Sequence, residues 1–216
     1  MSTSYISLLL GGFIIIPFIA ILIRWRPLQS QSSTQIFLSY IILNLVAWFP
    51  SFLLAYNNIS NIIVFNIFSV LEFLLITSFF NEIFDSRNKK IYYLVILILT
   101  TAIAISVFTL GRNNNYLNYL NFSICILFII LSLFYFIKLL RDQKVDNILD
   151  YPIFWLNAGI LLYFSCSVFI FIFSNFYLGF SVEARSIWLF HSVINSICYV
   201  IFAVGLFKCT RQNKLC

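Results

Sequence analysis

The run Ile91-Tyr92-Tyr93-Leu94-Val95-Ile96-Leu97-Ile98-Leu99 opens a stretch, Ile91 to Leu110, that holds no charged side chain. A membrane-barrel strand alternates apolar and polar residues over about 10 positions, and this run does not alternate. A helix needs about 20 apolar residues to cross the hydrocarbon core, and this stretch supplies them. Outward from it, six further stretches have the same character: Tyr5 to Ile23, Gln35 to Tyr56, Asn61 to Phe80, Leu117 to Leu140, Ile153 to Phe173 and Ser186 to Phe207. The expectation is an all-α polytopic membrane protein, a seven-transmembrane-helix bundle forming one transmembrane domain over 1–216.

Composition points the same way. The 216 residues are 62% hydrophobic, 19% aromatic and 9% charged, and mean hydropathy is +1.00. A water-soluble domain needs roughly 25% charged residues to cover its surface. Seven spans of about 21 residues use about 147 positions. The gaps left are too short for a soluble domain, so any chemistry belongs in the bundle or on short loops.

The bases set the orientation, because positively charged loops stay inside. Arg24 and Arg26 follow the first span, Arg87, Lys89 and Lys90 the third, Lys138, Arg141 and Lys144 the fifth, and Lys208, Arg211 and Lys214 the last. Only Arg112 and Arg185 fall on the opposite side. The N-terminus is expected outside and the C-terminus inside. The charges follow the first apolar run, so it reads as a retained span and not as a cleavable signal. The net charge of +6 is spread over four short segments. That suits anionic lipid and gives no support to a nucleic-acid partner.

Punctuation agrees with these spans. Arg24-Trp25-Arg26-Pro27 closes the first, Asn57-Asn58-Ile59-Ser60-Asn61 turns between the second and third, and Asp150-Tyr151-Pro152 opens the sixth. Pro17 and Pro50 lie inside spans and are expected to kink them. The five cysteines form no disulfide framework or metal pair. Cys209 is juxtamembrane, a setting where S-acylation occurs.

Ionisable residues at bilayer depth are functional candidates, since each costs about 2.5–3.5 kcal/mol on insertion scales. Glu72 is the clear case. Ser69 and Asn66 precede it at helical spacing, which gives an inward polar face. On the last span, Trp188, His191, Ser192, Asn195 and Tyr199 share one face. The second span adds Tyr40, Asn44, Trp48 and Ser51. The sixth adds Trp155, Asn157, Gly159 and Tyr163. Depth arithmetic favours Asn44 or Asn195 over His191 as a partner for Glu72. The bland alternative throughout is interhelical hydrogen bonding.

Catalytic and cofactor patterns are missing. The last span has no lysine before Lys208, there is a single histidine, and neither a GxSxG elbow nor an HExxH helix occurs. Ser192 and His191 are adjacent and so point about 100° apart on a helix. No cofactor and no metal are expected.

The stretches Asn66-Ile67-Phe68-Ser69-Val70-Leu71-Glu72-Phe73-Leu74-Leu75 and Phe154-Trp155-Leu156-Asn157-Ala158-Gly159-Ile160-Leu161-Leu162-Tyr163-Phe164 resemble small bacterial seven-span membrane proteins. They are similar also to the membrane sensor regions of some bacterial histidine kinases. The resemblance implies a bacterial inner-membrane protein. Nine residues follow Phe207, so signalling would need a separate cytoplasmic partner. The leading expectation is a non-enzymatic sensor or accessory subunit that binds a small or lipid-like ligand. Its binding residues would be Tyr40, Asn44, Trp48, Ser69, Glu72, Asn157, Tyr163, His191, Asn195 and Tyr199, converging in the outer half. The alternative is a small transporter or proton-coupled carrier using Glu72, and the second alternative an intramembrane lipid-acting enzyme.

Overall fold

The computed structural model describes residues 10–28, 32–57, 59, 62–84, 118–142, 147–177 and 181–209. Every element among them is helical. They are α1 (Ile15–Leu28), α2 (Ser32–Tyr56), α3 (Ile62–Phe84), α4 (Asn118–Asp142), α5 (Pro152–Tyr177) and α6 (Ser181–Lys208), with short 3-10 turns at Gly12–Ile14 and Ile148–Asp150. Five helices are long and apolar enough to cross a membrane: those over Ser32–Leu54, Ile63–Phe84, Asn121–Asp142, Pro152–Ile172 and Leu189–Lys208. The first expected span is represented by a shorter apolar helix, Gly12–Arg24. The expected fourth span, Ile91 to Leu110, lies outside the described residues.

Local chemistry explains the ends. Pro17 has no N–H to give the Phe13 carbonyl, and the turn just before it is the 3-10 segment Gly12–Ile14. Near the other end of α1, Arg24 leaves the helical region (φ −105°, ψ 20°). Pro27 stands three residues on and has no N–H to give the carbonyl of Ile23. The bend in α1 therefore comes at Arg24. α2 runs helical through Pro50 to Tyr56. The last turn of α2 is closed by Asn57, whose backbone N–H (3.2 Å) and side-chain Nδ2 (2.8 Å) both donate to the Leu53 carbonyl. Pro152 opens α5 at its first position, where no N–H partner is required.

The helices divide into two units, Met1–Gln31 with Phe122–Cys216, and Ser32–Asn121. In the second unit α2 and α3 pack as an antiparallel hairpin. Its core is aromatic: Phe37, Phe73, Phe79 and Phe80 are almost fully buried. Phe37 stands 5.5 Å from Tyr40 and 5.4 Å from Phe79, ring centre to ring centre. In the first unit α5 is central. It packs on α6, and meets α4 through Phe128–Phe164 (4.7 Å) and Phe136–Phe154 (5.6 Å). α1 lies along α6, tied by the Ser196 hydroxyl to the Leu10 carbonyl (3.1 Å).

Glycine permits the close approach of α5 and α6. A Cβ on Gly159 would overlap the Phe202 ring. One on Gly205 would lie 2.9 Å from Leu156 Cδ2 and 3.1 Å from the Pro152 carbonyl oxygen. Small residues at such points let backbones pack without a driving force from water. The outward stripes are apolar: Ile42, Val46, Phe49 and Leu53 on α2, and Ile126, Ile130, Leu133, Ile137 and Leu140 on α4 are exposed. Their i, i+3, i+4, i+7 spacing is that of one helical face, here the face turned away from the protein.

Candidate functional site

Glu72 is buried on α3. The Tyr40 hydroxyl, from α2, donates to its Oε1 at 3.1 Å. Their pairing follows from the hairpin. α2 ends where α3 begins, after a turn of a few residues, so Tyr40, sixteen before the end of α2, faces the middle of α3. Glu72 thus has a partner on the second expected span. The other members of this group bond within their own helices. The Asn44 Nδ2 donates to the Tyr40 carbonyl (2.9 Å) and the Ser69 hydroxyl to the Phe65 carbonyl (2.9 Å). Trp48 stacks on Phe52 (6.0 Å, 16° between planes).

The hairpin is unevenly filled. On the side of Tyr40 and Glu72 toward the start of α2, Phe37, Phe73, Ile76, Phe79 and Phe80 are each about 1% exposed. Toward the connecting turn Asn66 is buried as well, while Asn44, Trp48, Phe52, Phe65 and Ser69 are partly buried. Glu72 stands at the step between the two. Side chains on a helix lean toward its N-terminus. On α2 that direction is away from the turn, and on α3 it is toward it.

The first unit holds the remaining candidates. Asn157 is fully buried near the start of α5. It makes a reciprocal pair with Ser132 of α4, whose hydroxyl donates to Oδ1 (2.9 Å) while Nδ2 donates to the Ser132 carbonyl (3.1 Å). Tyr163 and His191, on α5 and α6, face each other at 5.9 Å between ring centres. Asn195 and Tyr199 follow on α6, both partly buried. Tyr163 is six residues beyond Asn157 toward the other end of α5, about 9 Å along the axis. Asn157 and the Tyr163–His191 pair are thus separate features of this unit.

No family model matches the chain, and no curated protein or solved structure matches it. The site is therefore read from its own chemistry. Among the described residues no group of three His, Cys, Asp or Glu side chains could hold a metal ion. Cys209 is buried, with its N–H on the Leu206 carbonyl, so its thiol is not presented for S-acylation. Trp155, near the boundary of the sixth expected span, donates its indole N–H to the Leu149 carbonyl at 2.8 Å, anchoring the start of α5.

Sequence reasoning missed Ser132, Ser196 and the pair of Asp150 with Lys208. A lone serine in an apolar helix carries no signal of its partner. Asp150 and Lys208 are 58 positions apart, yet Nζ lies 2.8 Å from Oδ1. The signal that could have joined them is the antiparallel register of the sixth and seventh spans, which brings the start of one to the end of the other. Asn147 completes the cluster. Its Nδ2 donates to Asp150 Oδ2 (2.7 Å), and its Oδ1 accepts from the Leu149 N–H (3.2 Å).

Proposed function

We propose that this chain is a multi-pass membrane protein of the sensor or accessory type. It takes a small or lipid-like ligand among its spans and hands the occupied state to a separate partner on the cytoplasmic side. In this reading it spans the bacterial inner membrane seven times, with the N-terminus outside, and catalyses no reaction. The observation that carries it is the Tyr40–Glu72 pair, a buried acid held in the middle of an apolar helix. Such an acid is costly to insert, and structural glue alone is served more cheaply by the Ser132–Asn157 type of bond.

The test is to purify the protein from its membranes in mild detergent and identify retained small molecules by mass spectrometry. Glu72→Gln, close in shape, should lose the retained compound while melting within a few degrees of the parent. An unchanged set of retained compounds with a lowered melting temperature would make the pair structural and defeat the reading. The buried acid also suits a proton-coupled carrier. Reconstituted vesicles with a pH-sensitive dye inside separate the two: a carrier acidifies or alkalinises the lumen when substrate is added, and a sensor does not.

A further inference from the structure

We propose that Cys166 of α5 and Cys198 of α6 together bind one soft monovalent metal ion, copper(I), between their sulfurs. This goes beyond the ligand-binding reading above and uses none of the residues assigned to it.

Placement is the first ground. Gly159 and Gly205 mark the sides on which α5 and α6 meet, Gly159 against the Phe202 ring and Gly205 against Trp155 and Leu156. Cys166 comes seven residues after Gly159, and Cys198 seven before Gly205. Seven residues are two helical turns to within about 20°, so each cysteine lies on the contact side of its helix. The helices run antiparallel, so both steps lead the same way, toward the Tyr163–His191 contact. Gly205 is level with Trp155, which sets Cys198 level with Leu162, one turn from Cys166. Side chains lean toward the N-terminus of their own helix. In an antiparallel pair that tilts the Cys166 and Cys198 sulfurs toward each other. Both thiols are free, and Cys166 acts electrostatically on the Cys198 thiol.

Ligand chemistry is the second ground. Thiolate sulfur is a soft ligand that selects copper(I), whereas calcium and magnesium need oxygen and structural zinc needs four ligands. Copper(I) is satisfied by two sulfurs in line. The setting selects for low charge, Cys198 being 1% exposed. Binding replaces the proton of one thiol, which leaves to water, and the second thiol stays protonated. The bound unit of one cation and one thiolate is neutral, so no net charge is buried. No electron is transferred.

The experiment titrates the purified full-length protein in neutral-detergent micelles with copper(I) under argon, in competition with a coloured copper(I) chelator. One ion bound per chain is expected, with two sulfur neighbours in X-ray absorption of the loaded protein. Cys166→Ser and Cys198→Ser should each weaken binding at least tenfold, and Cys125→Ser should leave it unchanged. If a serine variant does not fold, Cys166→Met against Cys166→Leu carries the test. The two side chains are similar in size, and only methionine keeps a sulfur, so only that variant should stay within a few-fold of the parent. Binding that persists in the Cys166→Ser/Cys198→Ser double variant overturns the proposal. So do nitrogen or oxygen neighbours at the ion, equal binding by the methionine and leucine variants, or no binding by the parent. None of these outcomes bears on Glu72-dependent retention of a small molecule, so the two readings fail separately.

Discussion

The hydroxyls of Ser39, Ser69, Thr77 and Ser78 each donate to the carbonyl four residues earlier in their own helix. In hydrocarbon that is the cheapest way for a hydroxyl to find a partner, and it says nothing about which helix lies alongside. Ser132 instead reaches Asn157 on the next helix and receives a bond in return. Nothing in the sequence around Ser132 distinguishes it from those four, so the pair was legible only from the Asn157 side. Glu72 was legible because a carboxylate interrupts an otherwise apolar run, whereas its partner was narrowed only to Asn44 or Asn195, on the second or the last span, and is Tyr40. Interhelical bonds of this kind are worth about 0.6 kcal/mol each and up to about 1.7. Asn157→Ala removes two and leaves a cavity, so it should lower stability by about 1–3 kcal/mol. Ser132→Ala, which leaves the bond from Nδ2 to the backbone carbonyl intact, should cost less than half as much. Thermal unfolding in one detergent measures both, and equal losses would show that the carbonyl bond adds nothing.

At the scale of the helix, three starts were legible to within one residue, while α6 begins at Ser181 and not at the expected Ser186, and the lipid-facing stripes were not legible. Helix α5 begins one residue from the expected start of the sixth span and α4 one residue from that of the fifth. Charged and proline residues mark such ends. The faces are hidden because these helices are apolar all round, so hydrophobic periodicity cannot tell a lipid-facing stripe from a buried one. What does mark the α5–α6 face is the absence of a side chain at Gly159 and Gly205. The two glycines differ in what they meet. Gly159 faces the Phe202 ring, whereas Gly205 faces the Pro152 backbone carbonyl as well as Leu156. A ring can be shortened by mutation and a carbonyl cannot. Gly205→Ala should therefore destabilise by about 1–3 kcal/mol whatever is done around it. Gly159→Ala should cost a similar amount alone, and part of that loss should return when Phe202→Leu is added. A double-mutant cycle on melting temperature reads the coupling. Full additivity would mean that the two helices shift apart instead of holding their register.

At the scale of the molecule, charge is gathered at one end of the first unit. The Asp150–Lys208 pair and the Gly159–Phe202 approach run α5 antiparallel to α6, and the Ser132–Asn157 and Phe128–Phe164 pairs run it antiparallel to α4. That brings Lys138, Arg141 and Lys208 to the same end. Asp150 sits among them, exposed, and its hydrogen bond with Lys208 holds its carboxyl below the ordinary value of 3.8. A lowered folded-state pKa stabilises above the unfolded value and is lost as pH falls through the folded one. The pair's contribution should thus be constant from pH 5 upward and fade below pH 4, and salt should screen it. Asp150→Asn should flatten that acid limb of the melting curve and leave the neutral plateau almost unmoved.

The same gathering of bases carries the last prediction, the orientation of the chain. Eleven of the thirteen bases fall on segments that alternate to one side if there are seven spans, and three of the eleven, Lys138, Arg141 and Lys208, are ones that the first unit brings to a common end. Lysine and arginine resist export, so that end is expected in the cytoplasm. A C-terminal fusion made after Lys214 should then fluoresce with green fluorescent protein and be inactive with alkaline phosphatase, which needs export to fold. A fusion in the Asn113–Asn115 segment should give the reverse. The two sites lie on opposite sides only if the number of spans between them is odd, so the pair tests the span count as well as the direction. Activity of phosphatase at both sites would remove one span from the expected seven. A dark, phosphatase-active C-terminal fusion with the reverse at Asn113–Asn115 would turn the whole chain over and place the basic end outside.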